Sequence, residues 1–313
     1  MKTELTTDAA YAGAIIRRGG LVAFATETVY GLGADAFNEV AVANIFTAKK
    51  RPADNPLIAH ISRIEQIDSL ASAITNAAAK LIDAFFPGPL TVILPKKDTV
   101  PAVATAGLNS IGIRMPRLGL TELFLTAAAT PVVAPSANLS GRPSPTTWQA
   151  VLEDLDGRID CILQGPPCII GLESTVVDCT GEVPVLLRKG CITAGELRKI
   201  VPDIVADSGS SPLTPKSPGL KHKHYSPRAK VVVVKGSADD PEPNSAFIGL
   251  TETKGAFEHK LICRNVEEYA HSLFEFFREC DRLGIDTIYC ESIDDTADIG
   301  AALMDRIERA AKR

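Results

Sequence analysis

Aromatic residues make up only 5% of the 313-residue chain, and tryptophan occurs once. Modules that bind single-stranded nucleic acid stack bases on aromatic rings, so this scarcity counts against such a role. Net basic charge is missing too. The formal charge is -5 at pH 7, and any pull on anions has to come from local patches. No run of 18 apolar residues is present, which argues against a membrane span. The opening MKTELTTDAAYAGAIIRRGG has no uninterrupted apolar core and no small-residue cleavage signature, so secretion is not expected. None of the seven cysteines forms a C-x-x-C pair, which disfavours a zinc ribbon. The thiols read as reduced, in a cytoplasmic protein, and no metal ligands are assigned. G-x-S-x-G, G-x-x-x-x-G-K-[ST] and H-E-x-x-H are all absent, which removes the familiar hydrolase, P-loop and zincin signatures.

What is present is an ordinary globular balance, 45% hydrophobic and 23% charged. Apolar runs alternate with helix-period stretches. LVAFAT, PLIAHIS, LTVILP, SIGIRMP and PVVAPS read as strands. Thr7 and Asn38 stand where helix caps belong, and helices are expected over EVAVANIFTAKK, AITNAAAKLIDAFF, TELFLTAAA, near Thr147 to Leu155, and from Thr193. The pattern fails from Pro202 to Pro227, in a segment rich in proline, serine and glycine. Beyond it KVVVVK, SAFIGL, KLICR and DTIYCE are strands around a helix from Val266 to Leu283, with a last helix from about Thr296. The expected class is α/β. Residues 1–206 form a larger domain, 207–229 a linker, and 230–313 a smaller α/β domain.

Several loops after strands carry short polar side chains. ATETVYGLGADA holds a G-x-G-x-x-A match to the dinucleotide fingerprint, but the next helix begins too late for it, and a glycine turn is the alternative. Strand alternation would put Thr26, Thr28 and Tyr30 on one face. Lys49, Lys50 and Arg51 end a helix, where cations also simply complement the dipole. APSANLSGRPSPTT supplies Ser136, Asn138, Ser140 and Ser144; GLESTVVDC supplies Glu173 and Ser174; LLRKG supplies Arg188. Hydroxyls, amides and cations without a nucleophile suit the holding of anions, as in phosphoryl or nucleotidyl transfer. KSPGLKHKHYSPRAK adds a basic stretch with His222 and His224, which lack further ligands at zinc spacing. Its prolines suit a semi-rigid strap.

TETVYGLG, KKRPADNPLIAH, FPGPLT, IGIRMP, APSANLSGRPSPT, GLESTVVD and LLRKG follow one another across residues 26–190. In that order they resemble the YrdC-like family. SPGLKHKHYSP followed by a small α/β domain resembles its long form, the two-domain threonylcarbamoyl-AMP synthases. The resemblance implies a twisted mixed-sheet domain with a cationic cleft, followed by a smaller Rossmann-like domain. It implies L-threonylcarbamoyladenylate and pyrophosphate made from L-threonine, bicarbonate and ATP with Mg2+. The product would pass to partner enzymes that modify tRNA next to the anticodon. By similarity, Lys49, Arg51, Ser136 and Asn138 are the catalytic signature, with Lys49 and Arg51 expected to stabilise phosphate charge. Thr28, His60, Arg114 and Ser174 would take threonine or its carbamate, and His60 or substrate itself its ammonium proton. Arg51, Asn55, Ser110, Ser136, Ser144, Arg188 and Tyr225 would take ATP. Ala25, Phe86 and Leu220 depart from the commoner proline, tryptophan and methionine without removing a functional group. The competing reading is an RNA-binding module that uses a basic cleft without catalysis, or one that also contacts tRNA. A carbamoyl-transfer module of the hydrogenase-maturation kind is disfavoured by the missing C-x-x-C pairs.

Overall fold

The apolar runs resolve into two sheets of different character. The computed structural model describes residues 2–207, 225–238, 240–293 and 299–312. Among these, the larger sheet has eleven strands: β1 (Glu4–Thr6), β2 (Val22–Phe24), β3 (Gly31–Asp35), β4 (Ile58–His60), β5 (Leu90–Pro95), β6 (Ser110–Arg114), β7 (Val132–Ala134), β8 (Cys161–Leu163), β9 (Thr175–Asp178), β10 (Val185–Arg188) and β11 (Val205–Ala206). They lie in the order β1-β8-β2-β3-β7-β4-β6-β5-β9-β10-β11. Pairing is mixed: β4 and β6 run parallel, while β2 with β3 and β4 with β7 run antiparallel. Seven helices accompany this sheet: α1 (Ala9–Arg17), α2 (Glu39–Lys49), the short α3 (Ile67–Leu70), α4 (Asn76–Phe85), α5 (Gly119–Ala128), α6 (Trp148–Leu155) and α7 (Ala194–Ile200). The smaller sheet is wholly parallel, in the order β12-β15-β13-β14 (Lys230–Lys235, Thr287–Ser292, Ser245–Gly249 and His259–Ile262). Helices α8 (Val266–Leu283) and α9 (Gly300–Ala311) cover it. The mixed-sheet plus parallel-sheet class matches the expectation.

The caps explain the helix starts. Asn38 Oδ1 accepts from Ala41 N at 3.0 Å, and Thr193 and Glu196 form a reciprocal capping box. Asp8, not Thr7, caps α1, because its carboxylate accepts from both Ala10 N and Tyr11 N. The glycines of GLGADA form neither a phosphate loop nor a turn. They are β3, paired with β2 through Phe24↔Gly31 and Val22↔Gly33. A Cβ on Gly33 would lie 2.6 Å from Val132 Cγ1 and 2.9 Å from Phe24 Cε1. The glycines are there to admit neighbouring side chains. The expected linker is ordered at its edges. Asp207 N donates to the Leu186 carbonyl at 3.1 Å, and Tyr225 stacks on Phe274 with ring centroids 5.4 Å apart. Residues 208–224, including His222 and His224, and the expected helix start at Thr296 lie outside the described residues.

The two sheets meet through buried charge. Arg278 of α8 and Asp154 of α6 are both fully buried and pair at 2.9 Å. Arg278 also donates to the Pro143 carbonyl at 2.6 Å. Gly171 has φ +82, and a Cβ there would lie 2.5 Å from the His271 backbone, so α8 packs directly on the segment leading to Glu173. The segment 136–144 is thus held at one end by α8.

Candidate active site

Residues 25–30 link β2 to β3 as an irregular loop, so Thr26, Thr28 and Tyr30 do not alternate along a strand. They converge for another reason. The Thr26 hydroxyl lies 2.8 Å from that of Thr28 and donates to the Val29 carbonyl at 2.7 Å. The Tyr30 hydroxyl donates to the Gly165 carbonyl at 2.9 Å. Opposite, Ala137 N donates to the Tyr30 carbonyl, and Tyr30 N to that of Pro145. The loop and the 135–145 segment are therefore joined side by side, and residues of both line one cleft with Arg51, His60, Arg114, Glu173 and Arg188.

Parallel pairing places His60 beside Arg114. Arg114 Nη1 donates to Thr28 Oγ1 at 2.7 Å, Nε to the Gly88 carbonyl at 3.3 Å, and Nη2 lies 2.8 Å from Glu27 Oε2. Glu27 was not anticipated. Its two oxygens are buried and accept no hydrogen bond among the described residues, so the Arg114 charge is what compensates them. Sequence carried one signal for it, a lone carboxylate inside a hydroxyl-rich motif.

His60 is 5% exposed, with Nδ1 3.1 Å from the Ile58 carbonyl. Burial, helped by the Arg114 charge and opposed by backbone contacts, pushes its pKa down to about 3. In the free cleft the ring is neutral at physiological pH and is a poor acceptor for an ammonium proton. The sign follows directly. The unfolded ring takes a proton near its ordinary pKa of about 6.5 while the folded ring does not. Folding stability is therefore full above that value and falls with pH toward 3. At pH 4.5 the loss from this ring is about 2–3 kcal/mol. Thermal midpoints measured from pH 7 to 4 should fall more steeply for the natural protein than for a His60→Asn variant. Parallel slopes would refute the neutral buried ring.

On the other wall, Arg51 Nη2 donates to the Asn55 carbonyl at 3.1 Å. Burial lowers the Arg51 pKa to about 10, partly offset by Tyr225 and Asp54, and leaves it charged at neutral pH. Arg188 donates through Nε to the Ser174 carbonyl at 2.9 Å and through Nη2 to Ser174 Oγ at 3.0 Å. Ser174 Oγ also meets Thr91 Oγ1 at 2.8 Å. Arg51 Nε and both polar side-chain atoms of Asn55 have no hydrogen-bond partner among the described residues. Buried orphans of this kind are costly unless a ligand meets them. Ser110 sits apart. It begins β6, whose other end carries Arg114, so about 13 Å of strand separate the two. It lines a small neighbouring cavity with Pro56, Thr91 and Gly112, and Ile58 borders both spaces.

Two signature residues do something other than line the cleft. Lys49 is 1% exposed, and its Nζ donates to the carbonyls of Ser136 and Asn138. Burial lowers its pKa well below the ordinary lysine value. Asn138 Nδ2 donates to the carbonyls of Leu139 and Arg142, and its Oδ1 accepts from Ser136 Oγ at 2.5 Å. Lys49 and Asn138 therefore build the loop that presents Ser136. Lys49 does not reach out toward a phosphate, contrary to the expectation above. Ser144 Oγ donates to Glu173 Oε1 at 2.6 Å. Tyr225 is buried at φ +66, with Arg306 5.2 Å from its ring centre.

A family model described as "Telomere recombination" matches residues 14–190, and one described as "Threonylcarbamoyl-AMP synthase, C-terminal domain" matches residues 192–312. The chain is 43% identical to the threonylcarbamoyl-AMP synthase of Pyrococcus abyssi, over 96% of this chain and 93% of that one. The chain belongs to the threonylcarbamoyl-AMP synthase family. The Bacillus subtilis synthase is 40% identical, over 98% of this chain and 95% of that one. A solved structure of P. abyssi Sua5 complexed with L-threonine superposes with a TM-score of 0.88 at 38% identity, covering 99% of this chain and 97% of that one. The synthase relatives thus span both sheets. No helix among the described residues is long and apolar enough to cross a membrane.

Proposed function

We propose that the chain makes L-threonylcarbamoyladenylate from L-threonine, bicarbonate and ATP, releasing pyrophosphate. The observation that carries this is the meeting of Arg51, Arg114 and Arg188 with Thr28, His60 and Ser136 on one cleft, in a chain of the synthase family. Threonine carbamate is a dianion and ATP carries about four negative charges, so bringing them together needs fixed cations. Arg114 and Thr28, with His60 and Ser174 nearby, suit the threonine carboxylate and carbamate. The P. abyssi relative with bound L-threonine supports a threonine site in this fold. Arg51, Asn55, Ser136, Ser144, Arg188 and Tyr225 would hold the nucleotide, with Ser110 beyond Ile58 at the far end.

The threonine nitrogen bonds to the bicarbonate carbon as water and one proton leave. A carbamate oxygen then bonds to the α-phosphorus, and the oxygen bridging to the β-phosphate leaves with pyrophosphate. Arg51 and Arg188 would offset charge on the phosphates while Arg114 fixes the attacking carbamate. His60, neutral, would donate or accept a hydrogen bond rather than take the proton. Carbamates revert in water, so closing the cleft matters. Residues 207–229, joining a catalytic unit 1–206 to the unit 230–313, would serve as the strap, anchored by Tyr225. Glu173, which lines the cleft, and Glu27, buried behind Arg114, both face arginines, so this donor set does not fit a resident cation. Magnesium would enter as the companion of the ATP phosphates. The adenylate would then pass to a partner enzyme that modifies tRNA beside the anticodon.

Pyrophosphate release is the test. It should require threonine and bicarbonate together and stop when either is omitted. ATP turnover indifferent to threonine, or salt-sensitive RNA binding with no adenylate formed, would sink the proposal.

A further inference from the structure

Arg306 has 0% exposure on α9, beside the smaller sheet, yet its contacts reach into the cleft of the larger one. Nε donates to Glu173 Oε2 at 2.9 Å, and Nη2 donates to the Lys189 carbonyl at 3.1 Å. Nη1 donates to Asp305 Oδ2 at 2.6 Å, and the guanidinium carbon lies over the Tyr225 ring. The second oxygen of Glu173 accepts the Ser144 hydroxyl. One guanidinium thus ties down the segments that carry Ser144, Ser174, Arg188 and Tyr225. Its neighbours on the buried face of α9 are Ala302, Leu303, Ile307 and Ala310. A buried cation on an apolar face is costly by itself, and an apolar residue there would pack more cheaply. The arrangement makes sense if something at the cleft needs it.

Glu173 supplies that need. It is a buried carboxylate lining a cleft otherwise dominated by cations. Uncompensated, it would repel a polyphosphate and leave the Ser144 hydroxyl on a mobile partner. We infer that Arg306 is a positioning residue for the nucleotide, contributed by the smaller domain: it pairs Glu173, which orients Ser144 and is kept from opposing the phosphates. Burial alone would raise the Glu173 pKa, and the guanidiniums of Arg306 and Arg188 overcome this and hold it below the ordinary carboxylate value. The smaller domain is then a working part of the ATP site, and its detachment would disable that site even with the larger domain folded.

The inference rests on ATP being the ligand of this cleft, so its test reads nucleotide binding without turnover. ATP and threonine affinities are measured separately by calorimetry on the full chain, with thermal midpoints alongside. For Arg306→Gln the ATP Kd should rise roughly 10- to 100-fold, the loss of one charge-assisted contact, while the threonine Kd stays within about 3-fold. Adding Glu173→Gln, which removes the stranded charge, should restore most of the ATP affinity. An ATP Kd unchanged in Arg306→Gln overturns the inference. So does a parallel loss of both ligands that Glu173→Gln does not relieve, since that marks a purely structural arginine. If Arg306→Gln does not fold, Arg306→Lys keeps the charge without the fork. It should show an intermediate ATP loss with threonine unaffected, and equal loss of both is the overturning result. A natural protein that binds ATP but releases no threonine-dependent pyrophosphate would refute the proposed reaction and leave the Arg306 result standing.

Discussion

Replacing Arg114 with methionine should all but abolish adenylate formation and should also destabilise the fold. The two effects have separate causes. The side chain is 4% exposed and serves Glu27, Thr28 and the Gly88 carbonyl at once. Methionine fills the volume but strands the Glu27 carboxylate, which accepts no hydrogen bond among the described residues. Breaking a buried pair from one side costs about 3–5 kcal/mol. The cleft also loses the cation proposed to hold the threonine carboxylate or carbamate. Removing one such charge-assisted donor costs about 10²- to 10³-fold in rate. The causes can be separated by adding Glu27→Gln. The double variant should regain most of the lost thermal midpoint, because no buried charge is left unpaired, yet it should remain unable to use threonine. If activity returns with stability, Arg114 only supports the loop, and threonine binds elsewhere. An unchanged threonine KM in the single variant would refute the assignment outright.

The difference between what motifs and geometry reveal is clearest at three places. Arg114 and Arg188 end strands and Arg51 follows helix α2, each in a motif where a cation beside short polar side chains is a local signal, and the fold brings all three onto one cleft. Helix extents followed from apolar period and cap residues, since both depend on near neighbours. Glycines 31 and 33 were opaque for the opposite reason. The atoms that demand them belong to Phe24 and to Val132, about a hundred residues along the chain. Locally, a G-x-G strand and a phosphate loop look alike. Arg278 and Arg306 lie between these cases. Each is a charge set into the apolar stripe of a helix, beside Phe274 and Phe277 in one and beside Leu303 and Ile307 in the other. A charge on such a stripe is readable as a buried pair waiting for a partner. The partners, Asp154 and Glu173, lie more than a hundred residues away and could be named only from the fold.

Lys49 turns on the same distinction between motif and contact. A lysine beside an arginine in a phosphate-handling motif suggests charge aimed at phosphate, but Nζ is spent on the carbonyls of Ser136 and Asn138. The Lys49 carbonyl also accepts from Ser140 N at 2.9 Å, so helix α2 ends as a bracket for the 136–140 loop. Lys50, in the left-handed region at φ 51, turns the chain away immediately afterwards and frees Arg51 for the cleft. Lys49→Met keeps the aliphatic stem and removes the donors. Two buried carbonyls then go unmet, at about 1–3 kcal/mol each. The loop should loosen and Ser136 should lose its fixed place. The expected outcome is a fall in thermal midpoint, faster amide exchange at Asn138 and Ser140, and about a 10²-fold loss in kcat/KM for ATP, on the scale of one misplaced cleft contact. Restoring a full charge should not help, because Lys49→Arg cannot fit its fork between the same two carbonyls. If Lys49→Met kept its midpoint and its exchange protection while ATP use collapsed, the amine would be acting on phosphate after all, and the loop-bracket role would be wrong.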